Sequence, residues 1–165
     1  MNIFYLDKNI QRCARYHCDK HVIKMILEST QILCSVLHQH GLKASYKPTH
    51  LQHPCTLWAG ESLENWLWLR ELVLELDKEY RYRFNHKKSH RSALVAEHLE
   101  IPPLPSLGIT ERPQAMPEIY KIPGNPVKAY RQYYISAKSH LLIYTKREVP
   151  SWVMRAITLP HHPGI

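Results

Sequence analysis

Four residues early in the chain could move protons together. His17, His21, Lys24 and Glu28 recur at steps of four, three and four. At about 100° per residue they fall within an arc of roughly 60° on one helix face. The opposite side holds Ile23, Cys34 and other apolar positions. Two imidazoles, an amine and a carboxylate can act as acids, bases or stabilisers of a developing cation near neutral pH. The same residues also suit a solvated face with an ordinary Lys24–Glu28 pair.

Metal binding is a second reading of this region. His17 and His21 stand at i, i+4, and His50, His53 and Cys55 lie close together downstream. Imidazole and thiolate are zinc ligands. Against this, no CxxC pair occurs, and Cys18 follows His17 where a HExxH metalloprotease carries Glu. No metal ligand set is assigned, and nothing in the sequence calls for a cofactor.

The charge distribution points to a polyanion. The 165 residues include 22 Lys+Arg against 14 Asp+Glu, a net charge of +8. Residues 81–91 hold five Lys/Arg and no acid, and residues 121–165 hold seven with one acid, Glu148. Tyr130, Tyr133, Tyr134, Tyr144 and Trp152 are interleaved there. Cations grip phosphates, and aromatic rings stack on a displaced base or serve as core anchors. The candidate nucleic-acid contacts are His17, Lys24, His53, Lys87, Lys88, Arg91, Lys128, Arg131 and Trp152. The expected partner is DNA, double-stranded, bound by a monomer.

The elements that must position these residues follow from pattern. Residues 10–40 lack Pro and Gly and read as a helix, with Cys18-Asp19 as a point where it can break and Gly41 as its stop. Val22, Ile26, Leu33 and Leu37 form its core stripe. After a loop over 41–55, residues 56–84 read as a second long helix. Its stripe is Trp66, Leu69, Val73, Leu76 and Tyr80, with Glu61, Glu64, Glu71, Glu75 and Glu79 forming an acidic back away from DNA. Seven of the twelve prolines lie between 102 and 126, which excludes a long helix there. That segment reads as a wrap anchored by Leu104, Leu107, Ile109, Met116, Ile119 and Tyr120. Pro126 opens a third helix, 127–142. The expected fold is all-α: one compact domain over 1–165, three main helices and a long Pro-rich irregular wrap.

Four cysteines are too few for a secreted disulfide scaffold of this length and fit reduced thiols in a cytoplasm. No signal-peptide pattern opens the chain, and no apolar run is long enough to span a membrane.

The order of several short motifs resembles a known family. Asp19-Lys20-His21, with Glu28 seven residues after the histidine, is similar to the first-helix motif of pyrimidine-dimer DNA glycosylases of the phage endonuclease V type. Tyr46-Lys47-Pro48-Thr49-His50-Leu51-Gln52-His53-Pro54 resembles the loop before that family's central helix, and Leu67-Trp68-Leu69-Arg70-Glu71-Leu72 resembles the helix itself. Pro150-Ser151-Trp152 is similar to a late Pro-Thr-Trp element, with Tyr130-Arg131-Gln132-Tyr133-Tyr134 competing for that place. Residues 18–28 also resemble a phage-type branch with the same Cys-Asp-Lys-His-Val-x-Lys-Met-Ile-Leu-Glu stretch.

The resemblance covers roughly half the chain. It implies a helical DNA glycosylase that excises a damaged or modified pyrimidine and can also cleave the strand as a lyase. It implies attack on the sugar C1′ by the N-terminal amine, with Glu28 assisting. An α-amine titrates near ~8 and so is partly neutral at pH 7, able to form a Schiff base. The candidate catalytic residues are Glu28, His21, Met1 and Asn2. The sequence departs from the family in having Asn2 where Thr is exposed after Met removal, and Leu27 and Ile3 where the family has Arg. Lys24 and Lys20 are the other amines that could attack, and because Asn2 does not suit the Met removal that the amine route requires, the sequence favours water activated by Glu28 or His21 as the nucleophile. A non-catalytic DNA- or RNA-binding protein on the same fold, and a metal-dependent hydrolase or nuclease using the His/Cys cluster, are the other readings.

Overall fold

The computed structural model describes residues 1–158, and the described chain is all-helical with seven α-helices where three were expected. They are α1 (Ile10–Tyr16), α2 (Asp19–Gln39), α3 (Pro54–Ala59), α4 (Leu63–Arg83), α5 (Arg91–Glu97), α6 (Pro126–Ala137) and α7 (Ser151–Thr158). Single 3₁₀ turns cover Glu118–Tyr120 and Ser139–Leu141. No helix of the described residues is long and apolar enough to cross a membrane.

Each extra boundary has a local cause. The first expected helix divides because His17 and Cys18 are extended, with ψ of 132° and 161°. Tertiary partners supply the hydrogen bonds that the helix gives up. The Arg83 guanidinium donates to the Arg15 and His17 carbonyls at 2.8 and 2.7 Å. The Cys18 amide donates to the Tyr134 hydroxyl, and the Asp19 amide to the Ile143 carbonyl. The second expected helix divides at Gly60, and Ser62 then caps α4 by accepting from the Asn65 amide. The third stops at Ala137 and is followed by the second 3₁₀ turn. Within the basic stretch 81–91, His90 caps α5 through Nδ1. No strong capping letter marks that start, so charge alone was visible.

Helices α2 and α4 make the most extensive contact, α1 lies on α4, and α5 packs on both. Through this core runs the extended N-terminus, with Ile3, Phe4 and Leu6 buried. The Pro-rich wrap is tied to the start of α4. Leu63 N donates to Pro105 O, Ser62 Oγ to Gly108 O, and Asn65 exchanges hydrogen bonds with Thr110. Arg112 sits 3.7 and 3.8 Å from the ring centres of Tyr5 and Trp68, so the wrap covers the half-buried Trp68 of α4. Leu104 and Met116 pack on the core and half-buried Tyr120 meets the Tyr133 ring, whereas Leu107, Ile109 and Ile119 are exposed and anchor nothing.

The acidic back of α4 also needs correction. Glu61 and Glu71 are exposed, but Glu75, Asp77 and Glu79 are buried. Glu79 accepts from Arg83 Nε at 3.1 Å and from Arg147 Nη2 at 2.8 Å. Arg83 is 1 % exposed and also reaches Asp19 at 3.2 Å. One guanidinium therefore joins α4 to the α1–α2 junction. Removing it leaves a buried carboxylate short of its charge partner, which typically costs ~3–5 kcal/mol. Arg83→Met should lose about that much stability in urea denaturation. Lys121→Ala, which breaks the solvent-exposed Lys121–Glu118 pair, should cost at most about 1 kcal/mol. Equal losses would contradict the assignment of Arg83 as a buried crosslink.

Candidate active site

The N-terminus is positioned by a buried amide. Asn2 is 8 % exposed. Its Nδ2 donates to Ala115 O at 2.8 Å, and its Oδ1 accepts from the Ile3 amide and the Tyr130 hydroxyl at 2.9 and 2.8 Å. The Cys55 thiol closes the set at 3.7 Å. Every contact holds the chain one residue after Met1. The α-amine of Met1 is thereby placed 3.7 Å from Glu28 Oε1 on α2.

The loop before α3 reaches this pair through His53. Ser35 on α2 ties the loop down, accepting from Thr49 N at 3.0 Å and donating to Thr49 O at 3.1 Å. His50 follows with φ 48°, a left-handed conformation uncommon for a side chain of this size. His53 then caps α3, its Nδ1 accepting from the Cys55 amide at 3.1 Å. That bond assigns the imidazole proton to Nε2. His53 also meets the backbone of Met1. Burial lowers its pKa, and so do the N-terminal ammonium and His50; Glu28 and the Met1 contact act in the opposite direction. Its imidazole is therefore neutral at pH 7.

Three expected site residues thus meet: Met1, Glu28 and His53. Lys24 is exposed one turn before Glu28. Together these present a primary amine, a carboxylate and a neutral imidazole at an accessible edge of α2. An amine can attack an electrophilic carbon, a carboxylate can stabilise a cation, and either base can take a proton.

The structure removes other expected residues from this edge. Asn2 is a buried anchor. His17 lies outside α2 and is completely buried, with Nδ1 2.7 Å from Cys13 O, so it offers nothing to a phosphate. His21 points inward, stacks on Phe4 at 4.4 Å and lies 2.8 Å from the Tyr134 hydroxyl. Its neighbour Ile23, expected in the core, is exposed instead. The single polar face drawn through all four residues is therefore not formed. Trp152 packs against Tyr16 and Tyr134, and Arg131 is held by Asp7 and Leu6 O. Both belong to the packing of α6 and α7 and leave no open ring or free guanidinium for a base or phosphate. Lys87, Lys88, Arg91 and Lys128 are exposed.

Asn2, Tyr130 and Cys55 were missed as a positioning set. The available signal was an amide inside the otherwise apolar stretch 1–6. Among the described residues no three His, Cys, Asp or Glu side chains come together as a metal would require. A groove of ≈ 860 Å³ lies along α3, but Glu61, Glu111 and Glu118 line it and neither Met1 nor Glu28 does. Arg112 and Lys121 line it as well, and it is not part of this site. Comparison with known proteins finds no family model, no curated protein and no solved structure that matches the chain.

The two core histidines give the fold an acid limit. Burial lowers His17 to about 4 and His21 to about 3, from an ordinary 6.5. The unfolded chain binds more protons across that interval, so stability is full above about pH 6.5 and falls as pH drops. His53 and His90 are lowered too and act in the same direction. Between about pH 7.5 and pH 5 each core histidine should cost roughly 2 kcal/mol. Urea denaturation at the two pH values checks this. His21→Gln should flatten the dependence, and unchanged stability at pH 5 would contradict the buried neutral state.

Proposed function

We propose that this protein is a DNA glycosylase acting on a damaged or modified pyrimidine, with Glu28 as its catalytic carboxylate. The observation that carries the reading is the 3.7 Å approach of the Met1 amine to Glu28. Four short motifs resembling the phage endonuclease V type support it from the sequence, and so does the net charge of +8.

The chemistry follows from the three groups. A neutral amine attacks the sugar C1′ as the base departs. Glu28 stabilises the positive charge that develops on the sugar, where its effect is largest in the transition state. The amine then loses a proton as the C1′–O4′ bond opens, and C1′ is held as an imine with a hydroxyl at C4′. Removal of a C2′ proton by Glu28 or neutral His53 would expel the 3′-phosphate and cleave the strand, which is the lyase half of the reaction. Lys24 is the second amine within reach of this edge, and water is the third nucleophile. Exposed Lys24, Lys87, Lys88, Arg91 and Lys128 are the phosphate contacts this reading retains.

A panel of duplex oligonucleotides carrying different damaged or modified pyrimidines, read for abasic sites and nicks, identifies the substrate. On that substrate Glu28→Gln should lose at least about 100-fold in rate, the scale of one general acid–base or electrostatic group. It should still bind DNA and keep the wild-type circular dichroism, because Gln keeps the shape of the Glu28 side chain. Full activity in Glu28→Gln, or no base release from any member of the panel, would contradict the proposal.

A further inference from the structure

Two aliphatic side chains lie open on the helix that carries Glu28. Ile23 is 41 % exposed and Leu27 is 40 % exposed. Leu27 directly precedes Glu28, so their Cα atoms are ~3.8 Å apart, close to the ~3.4 Å rise between bases on one DNA strand. Around the helix axis, Lys24, Lys20, Leu27 and Ile23 turn successively away from Glu28. They lead toward the side where Thr30 Oγ1 donates to Ser92 O of α5 at 3.2 Å. The strip is thus bordered by Met1 and His53 on one side and by α5 on the other.

The borders are basic. Lys20 and Lys24 are exposed, as are Arg91 at the start of α5 and Lys87 and Lys88 before it. None of these five makes an ion pair among the described residues. Asp19, the acid in the first turn of α2, is occupied by Arg83 and Thr145. An exposed aliphatic pair flanked by free cations suits a partner that is anionic outside and apolar between its stacked layers. Duplex DNA has that character.

A catalyst working at C1′ of a nucleotide inside a duplex must first move the base out of the stack. Aliphatic side chains that insert at a base step unstack it and kink the duplex. A rigid helix places such a side chain more accurately than a loop. We propose that Leu27, backed by Ile23, is the wedge that enters the stack and fills the space left by the displaced nucleotide. Lys20, Lys24 and Arg91 hold the flanking phosphates. The proposal rests on the glycosylase reading above and adds duplex DNA, opened at one step, as its substrate.

The test uses a duplex containing a tetrahydrofuran abasic-site analogue beside 2-aminopurine, whose fluorescence rises on unstacking, so no turnover is needed. Wild-type protein should bind and raise the fluorescence several-fold. Leu27→Ala and Leu27→Gln should bind about tenfold more weakly and, at saturation, lose most of the rise. Both keep a good helix former at a half-exposed position, so each should retain the wild-type circular dichroism. Ile119→Ala, which truncates the 85 % exposed side chain of the wrap, should match wild type in both readings. Binding without a fluorescence rise, or a full rise in the Leu27 variants, would overturn the wedge and leave the glycosylase reading standing. Failure of the wild type to bind the duplex would overturn both.

Discussion

The candidate site depends on the burial of one side-chain amide. Asn2 has donor and acceptor satisfied by its neighbour Ile3 and by Ala115 and Tyr130, two partners from distant parts of the chain. A buried amide without partners would cost several times what each bond contributes, so the set is all-or-nothing. Its consequence is positional. The residue before Asn2 has little freedom, and its amine is delivered to Glu28 in place of solvent. Tyr130 belongs to α6 and Ala115 to the Pro-rich wrap, so remote elements converge on the register of the first residue. His53 closes the arrangement from the loop side.

Arg83 performs the corresponding task at the other end of α2. It is the residue that ends α1 early, by taking the carbonyls of Arg15 and His17. The turn so created rotates α2 independently of α1. His21 then faces the core against Phe4, while Glu28 two turns later faces the N-terminus. Glu79 holds Arg83 and Arg147 together, which attaches the late chain to the same point. Glu79 of α4 thus works inside the molecule, as the counter-ion of buried Arg83 and of Arg147.

What could be read from the sequence divides along physical lines. The α2 core stripe of Val22, Ile26, Leu33 and Leu37 and the α4 stripe of Trp66, Leu69, Val73 and Leu76 were legible, because burial of regularly spaced apolar residues sets them. Glu28 was legible through its spacing from His21 and the motif around it. The helix count was not. The His17–Cys18 break is made by Arg83, Tyr134 and Ile143, far away in sequence, and α5 is capped by a histidine, a weak letter for that role. Charge misled in both directions. Glu79 and Arg131 looked solvated and are paired, and His17 looked exposed and is buried neutral. Side-chain type alone does not distinguish a free charge from a paired one.

The reaction we propose, attack on the sugar by an amine beside Glu28, leaves a chemical signature. Borohydride reduction during turnover converts an imine between protein and DNA into a stable bond, and proteolysis with mass spectrometry then locates it. The account predicts a covalent complex whose modified peptide carries the adduct at the α-amine of Met1. An adduct at Lys24 would move the nucleophile along α2. Base release with no trapped complex would contradict the amine mechanism and leave water as the attacking group.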